Sequence, residues 1–177
     1  MKCTIYKVGK LEHYKYVIVF ARYNNQWIVC KHKNRNTWET AGGHIETEET
    51  PLEAAKRELY EETGSIDFEI IPVCDYWACD EPHETGEITW ANGQVFLANV
   101  KTIAPLPDNE MECINFFETF PQNLTYPDIT NALLPYIVNS VNRNGQEEIK
   151  QEMEEIKISE MLRHQYELWE KHKDTWS

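Results

Sequence analysis

Glu58, Glu61 and Glu62 fall within five residues, and Arg57 stands immediately before them. On a helix turning about 100° per residue, with Glu58 as origin, Glu62 sits at about 40° and Glu61 at about −60°. The three carboxylates then share an arc of roughly 100°. Like charges at these spacings repel, costing roughly 0.2–0.5 kcal/mol per exposed pair and more when partly buried. Their place near a helix C-terminus also opposes the helix dipole. Folding alone does not favour such a cluster. A hard divalent cation does, because Mg²⁺ and Mn²⁺ take several oxygen ligands. The competing reading is a solvated acidic face. The glycine-rich turn before the helix and the caps around it favour the metal site.

The helix itself is well specified over residues 50–64. Thr50 suits the N-cap, Pro51 the first helical position, and Glu53 completes a T-x-x-E capping box. Leu52, Ala55 and Leu59 share one face for packing, and Gly64 supplies the stop. Upstream, the apolar runs Tyr16–Phe20 and Trp27–Cys30 flank Asn24-Asn25, a β-hairpin pattern. A basic stretch with Lys31, Lys33 and Arg35 follows, then ETAGGHIE, a strand interrupted by two glycines. Downstream, Ile66–Ala78 is β-rich, and acidic residues 80–87 read as a loop. Asn92-Gly93 signals a second hairpin within residues 87–100, with a strand at Val95–Val100. A proline-containing loop at 101–111 precedes a short strand at Cys113–Phe117, and Asp128–Val141 has helical spacing. From Gln146 onward the chain is charged and helical in propensity, with apolar stripes at Ile149, Met153 and Ile156 and at Met161, Leu162 and Trp169. The expected organisation is one domain over 1–145 and a helical extension over 146–177. That extension packs on the same core or forms a homodimer contact.

The string Gly43-x5-Glu49-x7-Arg57-Glu58-Leu59-x-Glu61-Glu62-x-Gly64 resembles the Nudix box, a 23-residue motif. Eight fixed positions match, which by composition alone arises on the order of once in 10⁸ start sites. Two positions depart: Ser65 stands where an aliphatic residue is usual, and Ala41-Gly42-Gly43 replaces Pro-Gly-Gly. Neither removes a ligand. The resemblance covers about residues 15–140 and implies an α/β fold, an α/β/α sandwich around a mixed sheet. It also implies a metal-dependent pyrophosphohydrolase that cleaves a nucleoside diphosphate derivative by water attack on phosphorus, with Mg²⁺ or Mn²⁺ as cofactor. By motif position, Glu58, Glu61, Glu62 and the Gly43 carbonyl would be metal ligands. One of these glutamates, Glu58 and Glu61 among them, would serve as general base instead, Arg57 would orient the carboxylates, and Glu49 would pair with Arg57 or act as a weaker outer ligand. Some members use a later acid, for which Glu110, Glu112 and Glu118 are candidates. Glu118 follows Phe116-Phe117, an aromatic-then-acidic element similar to the family's.

Tyr126-Pro127-Asp128 resembles the tract with which an oxidised-purine sanitiser of this family grips its base, although a turn before a helix, with Asp128 as its cap, is the plainer reading of these three residues. Lys31 and Arg35 are candidates for phosphate contact. An oxidised purine nucleotide is therefore one expected substrate, and the box leaves nucleotide sugars and dinucleotides open.

Composition limits the partners. With 17 Lys+Arg against 30 Asp+Glu the net charge is −13, which argues against adhesion to nucleic acid polymers or anionic membranes. An anionic substrate then needs a counter-charge such as the metal. Hydrophobic residues at 41% and aromatics at 12% indicate a globular chain. Five scattered cysteines read as reduced thiols rather than as a disulfide framework, and Cys74, Cys79 and His83 make a weak zinc signal. The N-terminus has no apolar signal region and no run is long enough to span a bilayer, so a cytoplasmic location is expected. Two other classes stay open. An isopentenyl-diphosphate-isomerase-like enzyme would use a reactive cysteine among Cys30, Cys74 and Cys79. A nucleotide sensor would bind without turnover, but the intact set of box glutamates speaks against it.

Overall fold

The structure, a computed structural model, describes residues 2–79 and 90–143. Among the described residues the elements come in the order β1 (Lys2–Tyr6), β2 (Tyr16–Tyr23), β3 (Gln26–His32), β4 (Ala41–His44), α1 (Pro51–Thr63), β5 (Ser65–Cys79), β6 (Trp90–Ile103) and β7 (Met111–Phe117). Residues 127–143 are helical as well. The sheet runs β1-β5-β6-β2-β3-β7, with β4 added beside β2. It is mixed, because β2 and β6 run parallel while the other pairs are antiparallel.

Local chemistry explains several of these elements. Asn24 and Asn25 take φ of 49° and 65°, the left-handed pair that a tight hairpin between β2 and β3 requires. The Thr50 hydroxyl accepts from the Glu53 amide at 3.3 Å, and the Glu53 carboxylate accepts from the Thr50 amide at 2.9 Å. Gly64 ends α1 at φ 72°, and its amide donates to the Tyr60 carbonyl.

Val17, Val19, Ala21, Ile28, Phe96, Ala98 and Val100 from the sheet meet Ala54, Ala55 and Leu59 of α1 in one core. Small Ala54 and Ala55 let the helix lie close. Leu52, expected on this face, is instead 39% exposed, because it sits in the first turn at the flank of the buried arc. On the reverse face Phe20 packs against Trp27 and Phe120. Ile129, Leu133 and Ile137, at helical spacing, are buried. The described residues up to Ile137 form one compact unit, and those from Val138 belong to another. The acidic stretch 80–87, His83 and the tail from 146 lie outside the described residues.

Two elements differ from the sequence reading. β1 carries no periodic apolar signal, yet it pairs with β5 through Lys2–Tyr6; as an edge strand it is only half buried. Asn92-Gly93 is not a turn but the interior of β6, where Gly93 lies opposite Tyr16 of β2. Asn92 instead ties down the loop before β2, accepting from the Lys15 amide and donating to the His13 carbonyl. Glycine is required at 93 by proximity: a Cβ there would lie 2.2 Å from the Tyr16 carbonyl oxygen. Gly93→Ala should therefore cost about 2–3 kcal/mol, the scale of overpacking against a backbone that must shift. Melting would drop by roughly 5–10 °C for a chain of this size. An unchanged melting temperature would return Asn92-Gly93 to a turn.

Candidate active site

The site arises where one strand exchanges partners. β6 runs along one side of β2. On the other side, β3 pairs with Ala21–Tyr23 and β4 with Tyr16–Val19. β3 diverges from β2, and Cys30 exchanges backbone hydrogen bonds with Glu39, at 2.9 and 3.0 Å. The segment between Glu39 and His44 thus fills the split, and α1 packs over β4. This brings helix carboxylates onto strand backbone. The Gly42 amide donates to Glu62 Oε2 at 3.0 Å, and the Cys30 thiol lies 3.7 Å from the same oxygen. Glu58 lies against Gly43 so closely that a Cβ there would fall 2.2 Å from Glu58 Oε1. Any side chain there would oblige that carboxylate to move.

Arg57 binds the rest of the cluster. Its Nε and Nη2 donate to the two oxygens of Glu49, each at 2.9 Å. Its Nη1 reaches Glu58 at 2.7 Å and Glu61 at 3.2 Å, and Nη2 also reaches the His44 carbonyl at 3.0 Å. The fork geometry of guanidinium makes this four-way contact available to arginine and not to lysine. Arg57 holds the Glu49 carboxyl below the usual carboxylate range. Glu58 is pushed up by burial, against the pull of Arg57. Glu62, buried, is pushed up to about 8 by desolvation and by the neighbouring Glu58 and Glu39 charges, despite the Gly42 amide. Its contacts at Gly42 and Cys30 are neutral donors, so its charge gains no cation from them.

Among the described residues, no three carboxylate, thiol or imidazole groups already surround one point at coordinating distance. Glu58 and Glu61 are turned to Arg57, and Glu62 to Gly42. The donor chemistry nevertheless fits a hard divalent ion: the set is all oxygen, strongly anionic, and holds one buried carboxylate that ionises only at a cost.

The other expected site residues divide. Arg35 pairs with Glu39 at 2.9 Å, and its guanidinium lies 5.8 Å from the Tyr126 ring centre. Tyr126 arrives there because residues 123–125 bond to Trp38. Arg35 and Tyr126 therefore stand beside Glu39, whose charge is felt at Glu62. Asp128 lies in the first turn of the 127–143 helix. Lys31 is engaged by Glu112 at 2.9 Å. Lys33 reaches Asp108 and the Asn109 carbonyl. Glu118 is exposed just past Phe117, which pairs with Trp27; that is the opposite end of β7 from Met111 and His32. Glu110, at the near end, is the later acid whose charge is felt at both Glu39 and Glu58. Asn109 secures this loop to α1 by donating to the Glu61 carbonyl. Sequence reasoning passed over Glu39. Its one signal was a carboxylate between the aromatic Trp38 and the glycine pair, at a position destined for burial.

The NUDIX domain profile matches residues 12–129. The chain belongs to the Nudix domain family. An RNA pyrophosphohydrolase of Bartonella henselae is 38% identical over 69 residues, which cover 34% of this chain and 40% of that protein. YtkD of Bacillus subtilis, whose naming as an 8-oxo-dGTP diphosphatase is itself provisional, is 41% identical over 51 residues, covering 29% of this chain and 32% of that one. The matches thus span less than half the length of these curated relatives. Among solved structures, a point mutant of the Bacillus subtilis pyrophosphohydrolase BsRppH superposes with a TM-score of 0.64 at 20% identity, covering 81% of this chain and 91% of that one. That likeness shows the Nudix fold, an α/β sandwich on a mixed sheet. The profile stops at residue 129, so the C-terminal part of this Nudix chain lies beyond the match.

Proposed function

We propose that this Nudix domain, spanning residues 1–145, is a divalent-metal-dependent pyrophosphohydrolase acting on a nucleoside polyphosphate. The observation that supports it most is the carboxylate set of Glu58, Glu61 and Glu62 on one helix, with Glu58 and Glu61 held by a single arginine and Glu62 by the Gly42 amide. Glu58, Glu61, Glu62 and the Gly43 carbonyl would hold Mg²⁺ or Mn²⁺. Such an ion, when bound, neutralises phosphate charge and makes bound water more acidic. Arg57 keeps Glu58 and Glu61 in place before the substrate arrives, so little reorganisation is left for the reaction. Glu61, half exposed at the rim of the cluster, is placed to accept the proton of the attacking water. Arg35 and Tyr126 offer a cation and a ring face to the phosphate and base of the nucleotide. Cys30 is buried, and desolvation holds its thiol pKa well above the ordinary value, which disfavours an isomerase built on that thiol.

The relatives' names point to two substrates, an RNA and an oxidised guanine nucleotide. Both carry nucleotide phosphates, and the net charge of −13 favours the small molecule over a polymer. The test is release of phosphate and pyrophosphate with Mg²⁺ or Mn²⁺. The panel comprises ordinary and oxidised nucleoside triphosphates, a 5′-triphosphorylated RNA, nucleotide sugars and dinucleotides. Metal-dependent release from one class, lost in Glu61→Gln, is expected. Release from none, with thermal stabilisation by a nucleotide, would replace the hydrolase reading with a sensor.

A further inference from the structure

We infer that Cys30 is a positioning residue for Glu62: its thiol and the Gly42 amide together engage one carboxylate oxygen and leave the other for the cation. The inference rests on the hydrolase reading above, in that Glu62 is taken as a ligand. Both donors converge on Oε2, the amide at 3.0 Å and the sulfur at 3.7 Å. Cys30 is fully buried, and two backbone hydrogen bonds to Glu39 fix the strand that carries it. The direction of the thiol is therefore set by the sheet, while Glu62 is set by α1. Their meeting locks a helix side chain to the opposite wall of the site.

The thiol has one proton and two acceptors in reach, Glu62 Oε2 and the Glu39 carbonyl at 3.4 Å. That carbonyl already accepts from the Cys30 amide. A carboxylate oxygen is a stronger acceptor than a carbonyl that is already engaged, so the thiol turns to Glu62. A thiol also suits the place: it packs as a small apolar group and donates weakly, so it steers the carboxylate without competing for its charge. Groups of this kind behind a metal ligand commonly change affinity by about 10–100-fold when removed.

The test compares wild type, Cys30→Val and Cys30→Ser. Mn²⁺ binding is measured by calorimetry, and the S–H stretch of Cys30 by infrared difference spectroscopy against Cys30→Ser. Cys30→Val is expected to weaken Mn²⁺ binding about tenfold. Cys30→Ser, which keeps a donor, should return affinity close to wild type. The Cys30 S–H band should move when Glu62→Gln is introduced. Wild-type Mn²⁺ affinity in Cys30→Val, or an S–H band indifferent to Glu62→Gln, would overturn the inference. Should the valine variant not fold, the infrared band still decides. Mn²⁺ affinity that follows the thiol, in a protein hydrolysing nothing on the panel, would sustain the positioning role and remove the hydrolase reading alone.

Discussion

Glu62→Gln is expected to lower turnover by about 10²–10³-fold, the scale for losing one preorganised charge contact at a reacting centre, while making the metal-free protein more stable. The two effects have one cause. Glu62 is 7% exposed and lies near Glu58 and Glu39, and its pKa is pushed up to about 8. An unfolded glutamate titrates at about 4.3. The folded state thus binds this proton more tightly than the unfolded state. Its contribution to stability is full below the unfolded pKa and is lost as pH rises through about 8. Glutamine has the same shape, keeps an acceptor for the Gly42 amide, and never ionises. In metal-free protein near pH 8 the substitution should add about 2 kcal/mol, after allowance for water reaching the group, or roughly 5 °C in melting temperature. Melting of the wild type without metal should fall between about pH 5 and pH 9, and that slope should flatten in the variant. Added Mn²⁺ should raise wild-type melting far more than that of Glu62→Gln. Retained turnover, or an identical pH slope in both proteins, would show that Glu62 is not the strained ligand described.

Arg57→Lys is the second large effect, because charge is kept and only geometry changes. The guanidinium meets both oxygens of Glu49, one each of Glu58 and Glu61, and the His44 carbonyl. An ammonium is a single point with three donors and satisfies two of these groups at most together. Side-chain exposures of 14% at Glu49 and 12% at Glu58 mean that water cannot fully replace the lost contacts. The expected outcome is a fall in kcat of about 10–100-fold and a loss of about 1–2 kcal/mol in stability. Arg57→Met should destabilise further, by about 3 kcal/mol, since it leaves partly buried charges facing one another. Steady-state kinetics and urea unfolding on the two variants measure both quantities. Wild-type kcat in Arg57→Lys would reduce Arg57 to a surface ion pair.

These predictions draw on features of different visibility. The helix α1 was legible because its signals are local: Thr50, Pro51, Glu53 and Gly64 act on the backbone within four residues of themselves. The Asn24-Asn25 hairpin was legible for the same reason. The Asn92-Gly93 pair shows the limit of such local rules. Its dipeptide matches a turn, but the neighbouring strand β2 approaches so closely that glycine is needed for space instead. The strand β1 gave no signal, since an edge strand with one partner buries too little to impose a pattern.

By itself, the sequence determined the family, the helix that carries the glutamates, and the fact that the three share one arc of it, because spacing along a helix is set by its geometry alone. Only the tertiary structure decided which carboxylates meet which partners. Glu62 against Cys30 and Gly42, Glu58 against Gly43, Glu110 near Glu58, and Glu118 at the far end of β7 all follow from where β2 exchanges β3 for β4. The residues joined there lie up to about fifty positions apart, beyond the reach of any helix or strand period. Strand pairing and the packing of α1 bring them together, and burial rather than sequence position sets the charge each one can hold.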